Sequence, residues 1–149
     1  MDAIFIAAGP KERAMPVESA QAVAGIGLAG DRYANGTGTY WKPEKPGQEL
    51  TLIEGETLDR LEALGVALAP GDARRNIVTR GIALGALLRH RFAIGEIECV
   101  GVRDCPPCAH LEALTVPGVH AALEGLGGLR ADIVVGGRLT TGDTIRLLD

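Results

Sequence analysis

Short apolar runs, each cut off by glycine or proline, recur along this chain and leave little room for long helices. Ala3 to Ala8 stops at Gly9-Pro10, and Leu50 to Ile53 follows a loop rich in Gly, Thr, Pro and Lys from Asn35 to Gln48. Gly95 to Val102 alternates, and Ala131 to Val135 and Thr144 to Leu148 are further short runs joined by a turn-rich link from Gly136 to Asp143. Runs of roughly four to eight residues bounded by turn formers read as strands. Arg74 to Gly81 reads as another, and Phe92 to Gly95 leads into the alternating run. Val17 to Ala24 suits helix or strand, until the glycines at 25, 27 and 30 stop it. Two segments have helical spacing: Glu54 to Leu64, with Leu58, Leu61 and Leu64 on one face and Gly65 after it, and Val119 to Leu126 before Gly127-Gly128. Gly85 to Leu88 is a single helical turn. Six or seven strands interrupted by two helices, without regular alternation, predict a mostly β fold with inserted helices. Its strands form a barrel or sandwich, mixed but mainly antiparallel. Nothing reads as a linker, so residues 1–149 are expected to form one domain.

Only five residues are aromatic, so Val, Ile, Leu and Ala must fill the core of a chain that is 46% hydrophobic. The net charge of −4 argues against nucleic acid as the main partner, since phosphate backbones need a basic surface. The first residues lack a basic region ahead of an apolar core, and no run reaches the length needed to span a bilayer. The expectation is a cytoplasmic protein that does not engage membranes. Three cysteines argue against a disulfide scaffold.

Two of those cysteines lie in Arg103-Asp104-Cys105-Pro106-Pro107-Cys108-Ala109-His110-Leu111, between the alternating run and a short helical pattern from Ala109 to Leu114. Cys108 then stands near a helix N-terminus, where backbone N–H groups and the dipole favour the thiolate, with Arg103 adding to the field. Four readings stand side by side. Half of a zinc site lacks a second Cys/His pair, because Cys99, His90 and His120 are scattered. A thioredoxin-type pair lacks the βαβ surroundings that give the spacing meaning. Two buried, inert cysteines at a Pro-rich turn are the plainest reading. The fourth is a single functional thiolate at Cys108.

Arg74, Arg75 and Arg80 fall within seven residues of an acidic chain. Taken singly they are solvated strand ends; together with Arg32 and Arg130 they suit a pocket for phosphate or carboxylate, which guanidinium matches in shape. His110 and His120 read more simply as surface or core histidines than as ligands. Asp31 reads as stabilising its own turn, and Trp41 as a packing anchor in a loop long enough to act as a lid.

Gly30-Asp31-Arg32-Tyr33, Leu50-Thr51-Leu52-Ile53-Glu54, Arg75-Asn76-Ile77, the Gly95-to-Val102 strand, Cys105-Pro106-Pro107-Cys108 and Gly137-Arg138-Leu139-Thr140-Thr141-Gly142-Asp143 occur in one order. That order resembles the MOSC family, named for the C-terminal domain of molybdenum cofactor sulfurases, over about Gly25 to Leu148. The resemblance implies a MOSC-type β-barrel and a role in carrying sulfur or binding the molybdenum cofactor, a molybdenum-pterin. It places Cys108 as the catalytic and metal-ligating cysteine, bearing a persulfide or molybdenum, a metal matched to thiolate. Asp31, Arg32, Arg75 and Asn76 fall on motifs expected near the anionic pterin. The implied partners are a cysteine desulfurase or an electron-transfer protein. Two other readings remain: a small molybdenum reductase of N-hydroxylated compounds fed by a separate electron donor, and a non-catalytic anion-binding module. The chain matches the MOSC domain alone, and Lys11, Lys42 and Lys45 do not lie on elements suited to a Schiff base. Pyridoxal phosphate is thus expected only on a partner desulfurase.

Overall fold

The computed structural model describes residues 1–63, 65, 70–105 and 127–148. The strands among the described residues are β1 (Ala3–Ile6), β2 (Met15–Val17), β3 (Ser19–Val23), β4 (Gly27–Leu28), β5 (Leu50–Glu54), β6 (Ile77–Thr79), β7 (Arg91–Ile94), β8 (Ile97–Asp104), β9 (Leu129–Val135), β10 (Gly137–Thr140) and β11 (Ile145–Leu147), and the α-helix among them is α1 (Gly55–Ala63). Eight of them form one sheet in the order β11-β7-β8-β9-β5-β6-β1-β2, and β10-β3-β4 form a second. All ladders are antiparallel except β5 with β6, which are joined by the α1 crossover. The expected mostly β class with mixed strands holds.

The eight-stranded sheet does not close on itself, because its edges β2 and β11 share no ladder. The chain bridges the gap differently. Strand β2 runs on through Glu18 into β3, which pairs with β10, and β10 leads through 141–144 into β11. Thr141 N donates to Glu18 O at 2.9 Å, and the Met1 ammonium donates to Asp143 O at 2.8 Å. The second sheet therefore covers the opening rather than extending the first.

Alternation along the strands sorts side chains into two cores. Ile4, Leu50, Leu52, Ile77, Phe92, Ile94, Leu129, Ala131 and Ile133 point inward and meet Ala20, Leu28 and Leu139 of the second sheet. Phe5, Ile53 and Val78 face the other way and pack on Leu58 and Leu61 of α1. That helix forms because Leu58 and Leu61 share a face, Glu56 lies in its first turn and Arg60 in its last, each favourable to the dipole. Gly65, at φ +89°, follows it.

Two expectations change and one open choice is decided. The link from Gly136 to Asp143 contains β10, paired with β3 along its length. Of the two readings left open for Val17 to Ala24, strand is the one observed, as β3 over Ser19–Val23. The strand expected from Arg74 narrows to Ile77–Thr79, since Arg74 takes φ +57° and cannot join a ladder. The helices expected over Ala109–Leu114 and Val119–Leu126 lie outside the described residues, as do Cys108, His110 and His120. No helix among the described residues is long and apolar enough to cross a membrane.

Candidate functional site

Asp31 sits in the turn after β4 with its side chain almost wholly buried. Oδ1 accepts from Ala7 N at 3.1 Å and lies 3.3 Å from Arg32 Nη1, while Oδ2 accepts from Tyr33 N at 3.4 Å. Arg32 Nη2 donates to Arg74 O at 3.1 Å. The Arg74 guanidinium turns away, donating to Pro10 O at 3.0 Å, to Gly9 O and to Glu12 O. Burial, then Arg32 nearby, holds the Arg74 pKa below its ordinary value. Asp31, Arg32 and Arg74 therefore stitch the 9–13 loop and the 30–33 turn to the residues before β6.

Arg75 and Asn76 are buried as well. Arg75 Nε donates to Gly127 O at 2.8 Å and Nη1 to Ala73 O at 3.3 Å. Asn76 Oδ1 accepts from both the amide and the hydroxyl of Thr51, each at 3.1 Å, and Nδ2 donates to Phe5 O at 3.2 Å. Asn76 thus locks β5 and β1 to the start of β6. Arg80, grouped with these arginines by sequence, is elsewhere: exposed, and paired with Asp59 at 2.7 Å and Asp2 at 3.0 Å.

Cys105, after the end of β8, and Gly127, before the start of β9, flank the segment that carries Cys108 in the sequence. Its two ends are tied together, with Cys105 N donating to Gly128 O at 2.8 Å and Arg75 holding Gly127. Gly128 has φ +109°, and a Cβ there would collide with the carbonyl of Leu52, so only glycine permits this close return. A cavity of about 130 Å³ adjoins the tie, lined by Glu54, Thr57, Leu84, Asp104 and Gly128 among others. The other two cysteines are buried. Burial pushes the Cys99 thiol up to about 12, with Glu49, Asp132 and Glu98 adding to the effect, so it stays protonated and inert.

On the outer face of β8 and β9, Arg103 stands directly opposite Arg130. The loop from Asn35 to Gln48 lies across this face. Arg103 Nη1 donates to Pro46 O at 2.6 Å, and Gly47 N donates to Asp132 Oδ1 at 2.9 Å. Arg130 and Arg32 both lie over the Tyr33 ring, at 5.9 and 5.0 Å from its centroid. Beneath the loop is a cavity of about 320 Å³ whose lining includes Tyr33, Trp41, Lys45, Gln48, Glu49 and Asp132. Burial, followed by Arg103, Arg130 and Lys42, lowers the Lys45 pKa. Glu49 Oε1 accepts from Gly25 N and Ile133 N, both at 3.0 Å. Burial raises the Glu49 pKa and the Asp132 carboxylate pushes the same way, against the two N–H donors. Sequence reading named Lys45 only as unsuited to a Schiff base and did not single out Glu49 or Asp132. The available signal was the charged alternation Arg130, Asp132 along β9, which places both outward, but only the register shows Arg103 beside them.

Among the described residues no group of three or more His, Cys, Asp or Glu could hold a metal ion. No curated protein matches the chain. Among solved structures, the YuaD protein from Bacillus subtilis superposes with a TM-score of 0.79 at 16% identity, covering 97% of this chain and 92% of that one. YiiM from Geobacillus stearothermophilus gives 0.74 at 14% identity, covering 99% and 73%. YiiM from Escherichia coli gives 0.67 at 15% identity, covering 100% and 70%. At such identities the likeness concerns the fold. Residues 39–146 match the MOSC domain, which spans the cysteine segment and most of the sheet, and the chain therefore belongs to the MOSC domain family.

Proposed function

We propose that this protein acts in the cytoplasm as a carrier of the molybdenum cofactor or of sulfur, with the Cys108 thiolate as the atom that bears the load. The observation that supports this reading best is the tie at the base of the cysteine segment. Cys105 N to Gly128 O and Arg75 to Gly127 O hold both ends of residues 106–126 beside the buried motif residues. Cys99 is protonated and Cys105 buried, so neither suits a soft metal or a sulfur donor. The described residues fit the anionic part of such a cofactor, with cations gathered on the outer face of β8 and β9, and supply no metal cage of their own. A bound molybdenum-pterin would supply a soft metal open to thiolate coordination. Asp31, Arg32, Arg75 and Asn76 act from behind: Arg32 and Arg75 contribute positive charge, while Asp31 and Asn76 hold the strands and turns that present it. In the sulfur role, the Cys108 thiolate attacks the terminal sulfur of a partner desulfurase's persulfide. A Cys108 persulfide forms and the donor's thiolate leaves, with no net change of redox state. Pyridoxal phosphate remains with that partner. Residue-resolved alkylation near neutral pH tests the assignment: Cys108 should react fastest, and labelling of Cys99 or Cys105 ahead of it would refute it.

A further inference from the structure

Arg74 stands between the short helical turn Pro70–Ala73 and the start of β6, with φ +57°, in the left-handed region that few residues other than glycine occupy. Its backbone is pinned on both sides: Arg74 N donates to Gly71 O at 3.1 Å, and Arg74 O accepts from Arg32 Nη2 at 3.1 Å. Its guanidinium donates to the carbonyls of Gly9, Pro10 and Glu12. Glycine would hold this backbone conformation without strain, so the backbone alone does not call for an arginine. The side chain does, because a planar fork reaches several carbonyls at once. Strained residues of this kind persist only where the surroundings over-determine them. The next residue uses the turn that results. Arg75 Nη1 donates to Ala73 O at 3.3 Å, a bond that spans Arg74, while Arg75 Nε donates to Gly127 O at 2.8 Å. Where the Arg75 guanidinium lies therefore depends on the Arg74 dihedrals.

We propose that Arg74 is a positioning residue for Arg75: its left-handed turn and its grip on the 9–12 carbonyls fix Arg75 against Gly127 and so set the base of the cysteine segment. As far as thiol chemistry is concerned, this rests on the reading of Cys108 as the load-bearing thiolate. The path is contiguous. Loop carbonyls hold Arg74, Arg74 sets Arg75, Arg75 holds Gly127, and the neighbouring Gly128 carbonyl accepts from Cys105 N at 2.8 Å. The Arg74 guanidinium is engaged by the 9–12 carbonyls, so its effect on the cysteine segment passes through Arg75.

The experiment follows amide hydrogen exchange by NMR in the full chain as wild type, Arg74→Gly, Arg75→Gln and the double variant. Arg74→Gly removes the grip and frees the dihedrals that bring Ala73 O to Arg75. Exchange at Cys105 N–H, which reports the tie to Gly128, should rise by roughly tenfold in either single variant and no further in the double. Exchange at Gly101 N–H, bonded to His90 O at 3.1 Å within β8, should stay as in wild type. Arg74→Lys keeps the charge and the strained backbone but lacks the fork. It should raise Cys105 exchange by less, and it carries the test where Arg74→Gly does not fold. In the same variants the Cys108 thiol, followed by its alkylation rate across pH, should titrate higher than in wild type, by the same amount in Arg74→Gly as in Arg75→Gln. Equal rises at Cys105 and Gly101, no rise at Cys105, or effects that add in the double variant would overturn the proposal. A Cys108 that alkylates slowly in wild type would sink the carrier reading and leave the exchange result standing; an unchanged Cys105 amide beside a fast Cys108 would do the reverse.

Discussion

Asn76 uses both ends of its side-chain amide inside the fold, which makes its role measurable apart from any ligand. Replacing it by alanine leaves Thr51 N–H and Phe5 C=O buried without their partners, each a penalty of about 1–3 kcal/mol. Asn76→Ala should therefore lower unfolding stability by about 2–4 kcal/mol in urea titrations; a loss below about 1 kcal/mol would show that neighbouring groups or water replace those bonds. The same residue illustrates what a sequence can convey. Arg75-Asn76 was recognisable as a motif, but not that Asn76 faces Thr51 and Phe5, because those contacts join positions 25 and 71 residues away. The arginines taught the same lesson in charge. Grouping Arg74, Arg75 and Arg80 by proximity was sound as arithmetic, yet one grips three loop carbonyls, one holds Gly127 and one pairs with Asp2 and Asp59.

At the level of elements, Glu49 joins the turn at Gly25 to β9 at Ile133, next to the Asp132 carboxylate that holds Gly47 of the long loop. Its pKa is raised in the folded state, chiefly by burial, so the folded protein holds this proton more tightly than the unfolded chain does. The stabilisation this gives is complete below the ordinary glutamate value of about 4.3 and is lost as pH rises through the folded value. Glu49→Gln keeps an oxygen acceptor for both N–H groups but removes the titration. The stability of wild type minus that of Glu49→Gln should thus fall as pH is raised from about 4, in urea unfolding across a pH series. A difference that grows with pH would show that the ionised carboxylate is the stabilising form. The elements themselves were readable where burial and period agreed: α1 through Leu58 and Leu61, β5 through its short apolar run and β8 through its alternation. Strand β10 was not, because it buries only Leu139 and its polar, glycine-flanked sequence takes its strand form from pairing with β3. The cation pair at Arg103 and Arg130 was hidden for a similar reason, since bulges shift the β8–β9 register between Gly101 and Arg103.

For the whole molecule, a sheet with one parallel ladder, a second sheet over its opening and a helix on the outer face places the buried arginine motifs, the cavity under the 35–48 loop and the base of the cysteine segment on one body among the described residues. The ordered set of short motifs was legible as a family resemblance before any coordinates. The cavity under the 35–48 loop was not, because it depends on a loop folded back over a strand some 85 positions away. The central claim, that Cys108 bears molybdenum or sulfur for this scaffold, is tested most directly by loading. Wild type, Cys108→Ser and Cys105→Ser would be purified from a host that makes the molybdenum cofactor, and molybdenum, pterin and persulfide sulfur measured per chain. The account predicts loading in wild type, most of it retained in Cys105→Ser, and loss in Cys108→Ser with folding intact. Equal loading of Cys108→Ser and wild type would contradict it.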